Sequence, residues 1–164
     1  MKVGTRSLLC GAHQCVLHPL FVFIAWTKLY GFPFDPRLWL AFLLHDIGYF
    51  GRSNMDGPEG KRHVELGARL MGIFGPQWAD FTRYHSRSYA TLDGVLPSRL
   101  CAADKLATCL VPVRLYLFMV NLSGEIKEYM AVAEPGLTQR DWFASICAVS
   151  RRWIASQSLS ESQL

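Results

Sequence analysis

The sequence has no Cys-x-x-Cys pair, no uninterrupted apolar run of about 18 residues and no block of like charge. Each absence removes a class of protein. Without paired cysteines, the odd set Cys10, Cys15, Cys101, Cys109 and Cys147 does not read as a disulfide framework, and a reducing compartment is expected. Without a long apolar run, no membrane span is expected. Lys2 and Arg6 precede only Leu8, Leu9, Cys10 and Gly11 before His13 interrupts, too short for the apolar core of a secretory signal, so the expected location is cytoplasmic. The net charge of +4 is scattered along the chain; it mildly favours anionic small molecules and does not predict a groove for duplex nucleic acid.

What is present is apolar bulk. Hydrophobic residues make up 51% of 164 positions, enough for one domain with a core that buries roughly two-thirds of the unfolded surface. No internal repeat and no strand-rich stretch is evident, so the class expected is all-α. The expected organisation is a single compact helical bundle over residues 1–164, with a metal-site core at about 13–111, C-terminal helices at about 112–155 and a flexible tail at 156–164.

Local signals place the elements. Pro19 suits the first turn of a helix that Gly31 ends, and Asp35 before Pro36 can cap a second helix from about 37 to 46. Residues 49–60, rich in Gly, Ser, Asn, Asp and Pro, read as a loop. A third helix is expected over 61–74, a loop over 86–97, and a helix bearing Leu100, Asp104, Ala107 and Val111 on one stripe. Pro112 is expected to bend the chain before the apolar 115–122 segment, and 141–154 reads as a final amphipathic helix.

The chemistry sits in His45-Asp46 at the end of the apolar run Leu38–Leu44, with histidines on both sides and Asp104-Lys105 downstream. A carboxylate can bridge two cations while imidazoles fill further positions, and such a set can activate water. Each donor except the adjacent pair comes from a different expected helix, so packing the helices can bring them to one point. Adjacent residues on a regular helix diverge by about 100°, which places His45 and Asp46 where the helix ends.

The ordered set His18, His45-Asp46, His63, His85, Asp104 resembles the HD superfamily of metal-dependent phosphohydrolases, in the branch with two extra histidines before the final aspartate. The text that carries the resemblance is Leu43-Leu44-His45-Asp46-Ile47-Gly48 and Ala102-Ala103-Asp104-Lys105-Leu106, with His18-Pro19-Leu20-Phe21-Val22 and Asn54-Met55-Asp56-Gly57-Pro58-Glu59-Gly60 beside it. The resemblance implies that His18, His45, Asp46 and Asp104 hold one divalent ion and that Asp46 bridges to a second held by His63 and His85. It implies iron or manganese, with magnesium, cobalt, nickel and zinc as further candidates. It also implies hydrolysis of a nucleotide, cyclic nucleotide or other phosphate ester by a metal-activated hydroxide.

Lys105 and Arg87, next to or near ligands, are expected to stabilise charge on the phosphoryl group alongside Asp46. Arg52, Asp56, Glu59, Lys61, Arg62 and Tyr89 are candidate substrate contacts, as is Tyr49. Two alternatives carry the same donors: a di-iron oxygenase, as in inositol oxygenase, and a nucleotide-binding regulator without turnover. His13 competes with His18 as first ligand, and Cys10-x-x-His13-x-Cys15-x-x-His18 offers a rival structural zinc site. A homodimer through the C-terminal helices is a further open expectation, and Ser123-Gly124-Glu125 with Glu128-Tyr129 has no chemical role at this level.

Overall fold

The computed structural model describes residues 1–161, with side chains through residue 157. Among the described residues it is all helical: α1 (Val3–Cys10), α2 (Leu17–Tyr30), α3 (Pro36–Leu44), α4 (Pro58–Lys61), α5 (Val64–Met71), α6 (Pro76–Arg83), α7 (Arg87–Leu92), α8 (Arg99–Leu110), α9 (Val113–Ser123), α10 (Ile126–Ala131) and α11 (Gln139–Glu161). Short 3-10 turns follow α3 and α5, at Ile47–Tyr49 and Gly72–Phe74. The all-α class read from the sequence is what the chain adopts.

Several boundaries follow the local chemistry. The Asp35 carboxylate accepts the Arg37 amide at 2.9 Å with Pro36 in the first turn, which starts α3 where expected. Gly31 ends α2 with φ of 82°, a left-handed region that favours glycine. Pro112 separates α8 from α9, and the two axes turn by 102°. Among the described residues no single helix is long and apolar enough to cross a membrane.

Three boundaries differ from the sequence reading. The continuous helix expected over 61–74 is split, because the His63 amide bonds back only three residues to Gly60 O at 2.9 Å and the tighter turn redirects the chain between α4 and α5. The expected loop at 86–97 contains α7. The last helix starts earlier because Thr138 accepts the Asp141 amide at 3.1 Å while its hydroxyl donates to the Asp141 carboxylate at 2.6 Å. That helix also continues past 154 to Glu161, through part of the expected tail; residues 162–164 of that tail lie outside the described residues.

The core has two centres. Helices α2 and α8 pack against each other, with Ala25, Ala103 and Ala107 fully buried, and Trp26, Phe42, Met71 and Leu100 fill the space around them. A second centre gathers Val3 and Leu8 of α1 with Tyr116, Met119, Val120, Trp142 and Phe143 from the C-terminal helices. Each large apolar side chain so buried contributes about 1.5–3 kcal/mol relative to exposure. Two glycines set how closely the parts meet. A Cβ at Gly48 would run into the His63 backbone, and one at Gly67 would meet the Leu44 carbonyl, so α5 lies directly against the end of α3.

Candidate metal centre

His45 and Asp46 leave the helix as their spacing requires. Helix α3 stops at Leu44, His45 closes it, and Asp46 adopts φ −98° and ψ −2° before the 3-10 turn. That break lets both side chains face one point. His18 comes from the first turn of α2, His63 from the turn before α5, His85 from just after α6, and Asp104 from the middle of α8. All six are buried.

They form two donor groups that share Asp46. His18, His45, Asp46 and Asp104 make one, and Asp46, His63 and His85 make the other, with donor atoms within 4.8 Å of one another in each. Asp46 Oδ2 lies 3.2 Å from His18 Nε2 and 3.1 Å from His45 Nε2. Its other oxygen, Oδ1, lies 3.5 Å from His63 Nε2 and 3.4 Å from His85 Nε2. One carboxylate therefore presents one oxygen to each histidine pair.

Tautomers decide whether the set fits a cation. His45, His63 and His85 each place Nδ1 on a carbonyl three residues earlier: Phe42 O at 2.9 Å, Gly60 O at 2.7 Å and Thr82 O at 2.6 Å. A carbonyl only accepts, so Nδ1 carries the hydrogen and the neutral ring offers Nε2 as a lone-pair donor. Yet His63 Nε2 and His85 Nε2 face each other at 3.1 Å. With Asp46 Oδ1 beside them, three atoms that can each offer a lone pair converge on one point. Asp46 Oδ2 is buried without a hydrogen-bond partner, an arrangement that costs free energy unless something positive sits among the atoms. Donors bound at about 2.1 Å to one ion stand about 3.0–3.4 Å apart at octahedral or tetrahedral edges, close to the 3.1–3.5 Å around Asp46, with the His45 to Asp104 pair wider at 3.9 Å. The residues fit a divalent metal.

Charge in the metal-free centre divides accordingly. Burial presses the His18 pKa down, but Asp104 and Asp46 outweigh it and raise it to about 9, the two carboxylates favouring a positive charge beside them. Burial drives His63 down to about 3, reinforced by His85, and burial also lowers His45. Burial opposes ionisation of Asp46 and Asp104, yet neighbouring histidines for the former, and Lys105 and His18 for the latter, hold both well below the usual carboxylate range. Lys105 is raised by Asp104, whose carboxylate it touches at 2.8 Å.

The centre opens into a cavity of about 440 Å³ lined by Asp56, Lys61, Arg87 and Lys105 as well as Asp46, His63, His85 and Asp104. Four of the residues read as candidates from the sequence therefore line the cavity. Four others do not line it, because each is engaged locally. Arg52 donates to Gly48 O at 3.1 Å, Glu59 accepts from Ser53 at 2.7 Å, Arg62 pairs with Glu65 at 3.0 Å, and Tyr89 donates to Glu65 at 3.3 Å. Tyr49 does line the cavity, its ring stacked on His63 at 4.1 Å.

His18, rather than His13, is in the donor set. His13 stands behind it, 2.8 Å from Ser7 Oγ and 3.4 Å from Glu125 Oε2, and also lines the cavity. Among the described residues the crowded Cys10, His13, Cys15 and His18 form no donor group, and Cys10 Sγ donates to Arg6 O instead. Glu125, which had no role in the sequence reading, is fully buried and accepts from Ser123 at 2.5 Å, Tyr129 at 2.9 Å and the Ala12 amide at 3.0 Å. An acidic residue after Ser123-Gly124, at the end of the apolar 115–122 stretch, was the available signal. No described protein family, curated protein or solved structure matches this chain.

Proposed function

We propose that this chain is a metal-dependent phosphohydrolase of the HD type, acting on a phosphate ester, with two divalent ions held on either side of Asp46. One observation carries the reading: the Asp46 carboxylate turns one oxygen to each of two histidine pairs, and the second pair, with Oδ1, gathers three potential ligand atoms at one point. Bound divalent ions supply Lewis acidity, polarising phosphoryl oxygens and acidifying water.

The chain's own residues do the rest. Lys105 and Arg87 bring positive charge to the cavity wall, where it complements a phosphate and the charge that develops on it during displacement. Asp104 holds the Lys105 ammonium at 2.8 Å, so that charge is positioned before substrate arrives. Lys61, exposed at the rim of the same cavity, adds attraction for an anion. Three imidazoles are fixed by backbone carbonyls and need no reorientation.

The test is phosphate release from a panel of nucleotides, cyclic nucleotides and simple phosphate esters by protein loaded with manganese or iron. His45→Ala and Asp46→Ala should abolish turnover, and Lys105→Met should lower kcat by about a hundredfold, the usual cost of one charge-stabilising donor. Equal turnover by wild type and the two ligand variants would defeat the proposal.

A further inference from the structure

Beside the metal-centre cavity lies a second cavity of about 420 Å³, within the roughly 300–1,000 Å³ range of small-molecule sites. The two share a wall: His13, Tyr49, Asp56, Arg87 and Lys105 line both, and His18 also reaches the second one. Beyond that wall the chemistry changes. Tyr116 of α9, Tyr129 of α10 and Trp142, Ile146 and Val149 of α11 supply aromatic and aliphatic surface, with Thr108, Ser145 and Ser150 between them. Apart from His18, none of the residues confined to this cavity carries charge.

Two tyrosines on this surface are unusual. Tyr116 is 5% exposed and Tyr49 is 6% exposed, yet their hydroxyl oxygens open onto the cavity, and neither has a hydrogen-bond partner among the described residues. Tyr129, on the same wall, does: it donates to Glu125 at 2.9 Å. Two unpaired hydroxyls beside an aromatic wall, next to a cationic rim, are what a ring-bearing polar ligand satisfies and an apolar one does not.

Taking the phosphohydrolase reading for the phosphate end, we propose that this second cavity receives the organic half of the substrate. The substrate is then a monophosphate ester of an alcohol that carries a flat ring and polar groups, with ribonucleoside monophosphates as the simplest members. The phosphate lies at the Lys105 and Arg87 wall, the ring against Tyr116, Trp142 and Ile146, and the polar groups reach the Tyr49 and Tyr116 hydroxyls. A small alkyl phosphate would leave the uncharged wall unused. A second phosphate extending into the cavity would find no lysine or arginine beyond the shared wall.

Binding separates this from turnover. Calorimetric titration of metal-free protein with the ribonucleoside monophosphates and with inorganic phosphate should show the former bound more tightly. Ser145 is exposed at the cavity edge, so Ser145→Trp fills the cavity from a position that tolerates bulk; Val149→Trp, also at an exposed position, does the same independently. Either should weaken the nucleoside monophosphates by about tenfold while shifting inorganic phosphate by less than about twofold, and Tyr116→Phe should weaken the former by about fivefold. The assignment falls if wild type binds nucleoside monophosphates no better than inorganic phosphate, or if both tryptophan variants weaken the two alike. A nucleoside monophosphate that binds as described, yet is never cleaved by the metal-loaded protein, overturns the hydrolase reading and keeps the cavity. Cleavage of glycerol phosphate and a nucleoside monophosphate with equal kcat/KM, unmoved by Ser145→Trp, does the reverse.

Discussion

Replacing Asp46 with asparagine should remove both ions, whereas replacing His63 with alanine should remove only one. Asp46 is the single side chain common to the two donor groups, and His63 faces only its Oδ1 oxygen. The size of the effect follows from linkage. An ion present at a hundred times its dissociation constant stabilises the folded chain by about 2.7 kcal/mol, so two filled positions give about 5 kcal/mol. For a chain of this length 1 kcal/mol moves the midpoint by about 2–4 °C, so wild type should gain about 10–20 °C when manganese is added to chelator-treated protein. His63→Ala should keep about half of that gain and Asp46→Asn almost none. Each variant is compared with its own metal-free midpoint, which removes the direct cost of the substitution. Differential scanning fluorimetry reads the shift, and elemental analysis of dialysed protein reads the stoichiometry: two ions per chain, then one, then fewer than one. If Asp46→Asn keeps the wild-type shift and stoichiometry, the shared carboxylate is not what joins the groups. If wild type shows no shift with manganese, iron, cobalt, nickel or zinc, the cluster is not a metal site.

Two further outcomes follow from the shell around it. Gly48→Ala should destabilise the chain by about 1–3 kcal/mol in a urea titration and weaken manganese binding, because the added methyl has no room against the His63 backbone; wild-type stability would show that α5 can move away. Glu125→Gln should reduce stability by about 1–3 kcal/mol at neutral pH and flatten its acid dependence. Burial acts to raise the Glu125 pKa, but His13, Ser123 and the Ala12 amide outweigh it and hold it below the 4.5 of an ordinary glutamate. Its contribution is therefore complete above that value and is lost as pH falls through the depressed one. Unfolding curves collected between neutral and acid pH should diverge least at the acid end; a constant difference would refute the assignment.

The donor set was readable because each member stands alone in a recognisable setting: His45-Asp46 ends an apolar run, and Asp104 sits on the inward stripe of α8. The place where α3 ends was also legible, since two adjacent side chains cannot face one point from a regular helix. What the sequence hid was contact between distant segments. The Ala12 amide and Glu125 are 113 positions apart, and nothing local marks them as partners. Tyr116 and Trp142 look like ordinary core residues until the fold sets them around a cavity. Arg52, Glu59 and Arg62 lie off the cavity for the opposite reason, since each has a local partner; Arg62 pairs with Glu65 three residues on. Helix α7 was missed because its six residues, Arg87-Ser-Tyr-Ala-Thr-Leu, have no apolar period long enough to distinguish them from a turn.

Because Phe42, Gly60 and Thr82 grip their histidines through main-chain oxygens, the aim of each ring is written into the path of the backbone. No neighbouring aspartate or glutamate has to be preserved to keep those rings facing inward, so substitution of surrounding polar groups leaves their orientation intact. Sensitivity concentrates instead in residues that bend or crowd the chain, and a proline or a bulky replacement near these turns would misdirect a ligand that the mutation never touches.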